Sequence, residues 1–115
     1  MSTIAIDWDD TLVGYKKHGE PKEWLPGAQE ALRALLKSGR DVVIHSCRAN
    51  WAEGLEEIHA KITSDPYFAR RVAAGQLDIR QGEGKPLAMV YVDDRGFNFA
   101  GDWTDLVPRL KELSR

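Results

Sequence analysis

Three short apolar runs limit what this chain can fold into. They are "TIAID" at 3–7, "DVVIHS" at 41–46 and "LAMVYVDD" at 87–94. Each is continuously apolar rather than alternating, the pattern of a strand buried on both faces. Helical stretches lie between them. Over 27–38, Ala28, Ala31, Leu32, Leu35 and Leu36 recur at helical spacing, with Pro26 and Gly27 at the start and Gly39 past the end. A second helix is expected over 51–62, with Leu55, Ile58, His59 and Ile62 as its apolar stripe. Asp65-Pro66 breaks the chain, 66–75 reads as a further short helix and 77–80 as a weak strand of the edge type. "GFNFAG" offers a very short fifth strand. Residues 104–113 read as a last helix, with Pro108 admissible only in its first turn. Strands alternating with helices predict an α/β fold: a mostly parallel sheet flanked by helices. At 115 residues, with no linker or repeat, the chain is expected to form one compact domain over 1–115.

In an open parallel sheet, ligands gather at the carboxyl ends of the strands. The first run delivers Asp7, Asp9, Asp10 and Thr11 to that edge. The second delivers Ser46 and then Arg48, the last apolar run delivers Asp93 and Asp94, and Lys85 lies in the loop before it. Adjacent strands are roughly 5 Å apart, so these ends can converge on one small volume. Several carboxylates brought together repel one another unless a cation joins them. Oxygen ligands suit Mg²⁺, and no Cys/His cluster has zinc spacing. Lys85, Ser46 and Thr11 are then the groups expected around a phosphate. Carboxylates, Mg²⁺ and a lysine together read as a site that handles a phosphoryl group. Asp7 and Asp9 alternate at the strand exit. One can attack phosphorus while the other gives a proton to the leaving oxygen and later takes one from water.

Taken singly, each residue also has a plain reading. Asp7, Asp9 and Asp10 could form a solvated Asx turn, and "DDRG" after the last apolar run is good turn chemistry. Lys85 alone reads as a solvated loop lysine, and Ser46 alone satisfies a loop amide. Arg48 is equally a substrate contact or a structural ion pair. Cys47 reads as a small inert residue and His45 as a packed core histidine. His18, with Tyr15, Lys16 and Lys17, reads as a solvated hairpin; Trp24, Trp51 and Trp103 read as packing residues. The joint order of the motifs favours a site.

That joint order resembles the haloacid dehalogenase superfamily of phosphotransferases, over nearly the whole chain. "AIDWDDTLV" matches the strand ending Asp-x-Asp-x-Thr, with Asp10 where the family often has Gly. "VVIHS" matches the strand ending in Ser or Thr, Lys85 in "GKP" the lysine ahead of the last core strand, and "MVYVDD" the strand ending in paired acids. The resemblance implies a Rossmann-like parallel sheet of order 5-4-1-2-3. It implies Asp7 as a nucleophile that becomes phosphoaspartate, and Asp9 as general acid and then base, with its carbonyl on the metal. Thr11 and Ser46 would hold phosphate oxygens, Lys85 would neutralise charge, and Asp7, Asp9, Asp93 and Asp94 would bind Mg²⁺. The intervals after the first motif and between Ser46 and Lys85 leave no room for a cap domain. A capless phosphatase is therefore expected, acting on a bulky or macromolecular phosphorylated substrate.

Two other classes compete. A signalling receiver domain uses similar residues, but its lysine comes late, whereas Lys85 precedes the second acidic pair. A non-catalytic binder of phosphorylated ligands would keep the fold, and intact Asp7 and Asp9 argue against it. A formal net charge of −2 predicts no strong non-specific binding to nucleic acid. One cysteine, no signal-peptide pattern and no membrane-spanning run point to the cytoplasm. Neither the substrate's identity nor the oligomeric state is written in the sequence.

Overall fold

A computed structural model describes residues 3–14, 22–46, 52–80, 90–93, 97–98, 103 and 107–108, with backbone only for 90–93 and 97–98. The elements are β1 (Thr3–Ile6), α1 (Ala28–Lys37), β2 (Asp41–His45), α2 (Ala52–Thr63), α3 (Pro66–Ala73), β3 (Leu77–Arg80), β4 (Val90–Asp93) and β5 (Phe97–Asn98). Trp103, Val107 and Pro108 are also helical. The architecture is α/β, a small parallel sheet flanked by helices, as the alternating pattern predicts. The strands lie in the order β3-β2-β1-β4-β5, and every pairing is parallel.

One face of the sheet makes the core. Ile4 and Ile6 of β1, Val42 and Ile44 of β2 and Leu77 of β3 pack into a single buried cluster with Leu32 and Leu35 of α1, Ile58 and Ile62 of α2, and Phe68 of α3. By the period-2 alternation of strands, Ala5 and Val43 stand on the opposite face. β3 is an edge strand, as the sequence suggested.

The helices start and stop for local reasons. Gly27 caps α1 with φ 80°, a left-handed conformation that favours glycine. Asp65 does not simply break the chain. It caps α3, accepting from the Tyr67 amide at 2.9 Å, and Pro66 takes the first helical position where its missing N–H costs nothing. The Asp65 carboxylate also accepts from Arg33 of α1 at 3.0 Å. Gln76 donates to the carbonyls of Leu36 and Arg40 at 2.7 and 2.9 Å, satisfying an orphan carbonyl at the end of α1.

Two packing expectations need correction. His59 is exposed; α2 buries the narrower stripe Gly54, Ile58 and Ile62. His45 is half-buried rather than a core residue, because it ends β2 on the face opposite Ile44. Among the described residues, no helix is long and apolar enough to cross a membrane.

Candidate active site

The site begins where β1 runs out. Ile6 pairs with Ile44 of β2 and with Val92 of β4. Continuing both registers by one residue sets Asp7 beside His45 on one side and beside Asp93 on the other. Ser46 follows β2 directly and is buried. Three adjacent strands, β2, β1 and β4, therefore bring Ser46, Asp7 and the Asp93 backbone to one edge of the sheet. Asp7 and Asp9 are half-buried, Thr11 is buried and Asp10 is exposed.

The turn after β1 is tightly determined. The Trp8 carbonyl accepts from the amides of Thr11, Leu12 and Val13 at 3.3, 3.0 and 3.2 Å, and the Asp10 amide donates to Val13 at 2.7 Å. This winding needs a left-handed residue, and Asp10 supplies it with φ 59°. Aspartate is among the few non-glycine residues that tolerate that conformation, since its short side chain can hydrogen-bond locally. Trp8, Leu12 and Val13 are fully buried and anchor the turn from below.

Two further supports reach the turn from elsewhere. The buried Trp103 donates its indole N–H to the Thr11 carbonyl at 3.0 Å, across 92 residues of sequence. The strip at 22–25 returns antiparallel to the turn's exit: Val13 bridges Trp24, the Leu25 amide donates to Leu12 at 2.8 Å and the Gly14 amide to Glu23 at 3.1 Å. Residues 22–25 are a described part of the loop or small hairpin expected between the first motif and α1. Tyr15, Lys16, Lys17 and His18 lie outside the described residues. The strip is not wholly solvated: Lys22 is buried and ion-pairs with Glu57 of α2. Trp24 stacks edge-on against Trp8, with ring centroids 5.6 Å apart, and tilts onto Phe68 at 5.9 Å. Trp24 and Trp103 are packing residues, as read from sequence.

No family model matches the chain, and no curated protein does. A solved structure does: that of the conserved protein coded by locus from Bacteroides thetaiotaomicron. It superposes with a TM-score of 0.65 at 28% identity, covering 96% of this chain and 90% of that one. The α/β architecture is thus shared over nearly the whole length.

Of the expected site residues, Asp7, Asp9 and Thr11 lie just past the end of β1, Ser46 directly follows β2, and the Asp93 backbone ends β4. Lys85, Arg48 and Asp94 lie outside the described residues, as does the Asp93 side chain. Asp7, Asp9, Thr11 and Ser46 offer oxygen donors, the kind that Mg²⁺ takes, and His45 beside Asp7 offers an imidazole nitrogen. Among the described residues, no three His, Cys, Asp or Glu side chains form a ready ligand cluster. Asp7 and Asp9 are the described part of the expected set. Lys22 and Trp8 are the structural residues that the sequence reading missed. Trp8 sits between two acids and Lys22 among charged neighbours, so neither carries a local signal for burial.

Proposed function

We propose that the protein is a Mg²⁺-dependent phosphatase of the haloacid dehalogenase type, working through phosphoaspartate at Asp7. The observation that carries this reading is the β1–β4 register, whose last pair is Ile6 and Val92, with Asp7 and Asp93 the next residue on each chain. The strand order supports it too: counted from the β5 edge it reads 5-4-1-2-3, the Rossmann-like order that the resemblance implies. So does the turn after β1, which holds Asp7 and Asp9 on a backbone fixed before any substrate arrives.

The chemistry follows from the two carboxylates. The Asp7 carboxylate attacks phosphorus in line with the ester oxygen. A P–O bond to Asp7 forms as the ester P–O bond breaks, and Asp9 passes its proton to the departing alkoxide. Water then attacks the phosphoaspartate, Asp9 takes a proton from that water, and inorganic phosphate leaves with Asp7 restored. Mg²⁺, when bound by the Asp7 carboxylate, the Asp9 carbonyl and the acids of the "VDD" run, would offset the negative charge shared by phosphate and carboxylates. Ser46 and Thr11, both buried at the edge, would bind phosphate oxygens, as would Lys85 and Arg48. The substrate class is a bulky or macromolecular phosphomonoester in the cytoplasm, with no cap domain to enclose it.

The test is turnover of an aryl phosphate with Mg²⁺, with EDTA and Asp7→Asn as controls. The account expects phosphate release that EDTA and Asp7→Asn each abolish. Phosphate release that survives EDTA would contradict it. Mg²⁺-dependent binding of phosphorylated ligands without any turnover would favour the non-catalytic reading instead.

A further inference from the structure

The sheet edge that carries Asp7 continues past β2 to a cation that the phosphatase reading does not use. His45 pairs with Arg80 in the β2–β3 register, and Asp7 continues the β1–β2 register beside His45. Asp7, His45 and Arg80 therefore form one row across three strands. Residues in register on parallel strands share a face, and alternation puts this row on the side opposite Ile6, Ile44 and Ile79. Two strand spacings separate the backbones of Asp7 and Arg80, about 10 Å.

Arg80 is the last residue of the edge strand and is exposed, while His45 between them is half-buried. Among the described residues, Lys22 pairs with Glu57 and Arg33 with Asp65, and neither of these pairs engages Arg80. Asp78, two residues earlier on the same face, is also exposed and forms no ion pair with it. A guanidinium is a fixed fork of donors that matches phosphate or carboxylate geometry. Its place at the end of the row, reached from Asp7 along the same face, suits an anion on the part of the substrate that is not transferred.

We infer that Arg80 is a specificity-determining residue that binds a second anionic group of the substrate, set apart from the scissile phosphate by a short carbon chain or a sugar ring. The inference rests on the phosphatase reading for Asp7. The substrate class is then a phosphomonoester that carries a further phosphate or carboxylate. His45, lying between, offers an imidazole donor to the bridging portion.

The experiment compares three probes: propyl phosphate, the propane bisphosphate that adds a terminal phosphate, and the phosphopropanoate that adds a terminal carboxylate. Each is titrated as a competitor of aryl phosphate turnover, and each is titrated calorimetrically into the full chain with Ca²⁺ in place of Mg²⁺, so that the esters are not cleaved during the titration. The wild type should bind one or both two-anion probes about 10- to 100-fold tighter than propyl phosphate, the scale of a hydrogen bond between charged groups. Which of the two is preferred identifies the second group. Arg80→Gln should bring that ratio close to one, and Arg80→Lys should restore part of it. A ratio near one in the wild type, or a ratio unchanged by Arg80→Gln, would overturn the inference. Absence of aryl phosphate turnover would instead count against the phosphatase reading, and the calorimetric ratio would still decide the role of Arg80.

Discussion

The turn after β1 and the interface between α1 and α3 are both well packed, but they are held by different forces. At the turn, backbone groups do most of the fixing. One carbonyl gathers three amides, a left-handed Asp10 redirects the chain, and Trp103 reaches in to hold the Thr11 carbonyl. Between the helices, side chains do it. Phe68 is fully buried, and the Tyr67 ring of α3 lies 5.7 Å from Arg33 and 5.7 Å from Lys37 of α1. Apolar burial and cation–π attraction are tolerant of small shifts, because neither demands close angular alignment. Hydrogen-bonded backbone is not tolerant. The difference marks the turn as the place where atomic position matters and the helix pair as the place where stability is made.

Substitutions should separate the two regions. Asp7→Asn is expected to lower phosphate release by about a thousandfold or more while leaving Tm close to wild type. A large loss of Tm with turnover intact would reverse the assignment of the two regions. Phe68→Ala should do the opposite, costing about 3–5 kcal/mol of stability through the lost transfer free energy and the cavity left behind. Its kcat, measured well below its Tm, should stay near that of the wild type; denaturant unfolding and steady-state kinetics read both.

Trp103→Phe tests the boundary between the regions. It keeps most of the packing but leaves the Thr11 carbonyl without its indole donor, which costs about 1–3 kcal/mol. Because that carbonyl belongs to the turn, kcat should also fall, by about tenfold to a hundredfold. A stability loss with no change in kcat would make Trp103 part of the scaffold alone. The smallest effect is expected at position 10. Asp10→Ala should be less stable than Asp10→Gly by about 1 kcal/mol, because both lose the carboxylate but only glycine adopts the left-handed conformation at no steric cost. Equal stability of the two would remove the backbone argument.

Much of this contrast is legible in the sequence. The strands at 3–6, 41–45 and 77–80 and the helices that follow them are visible because buried parallel strands and amphipathic helices leave periodic apolar patterns. Asp7, Asp9, Thr11 and Ser46 could be grouped because a parallel sheet collects strand ends. What stayed hidden depends on partners distant in sequence. Lys22 reads as a solvated lysine until Glu57, 35 residues on, is seen to pair with it. The Trp103 contact with Thr11 spans most of the chain and has no local signature. His59 failed for a different reason. It adjoins the stripe at helical spacing, but α2 buries a narrower band than the sequence pattern allows. Arg80 was passed over because its meaning comes from register, which a four-residue edge strand does not announce.

The central claim is that Asp7 itself carries the phosphoryl group during turnover. Borohydride reduces an acyl phosphate to the alcohol, so quenching the reaction with it converts a phosphorylated aspartate into homoserine. Peptide mass spectrometry after such a quench should find homoserine at position 7, only when Mg²⁺ and a phosphomonoester are both present. Steady phosphate release with residue 7 recovered solely as aspartate, or with homoserine at another acid, would contradict the account.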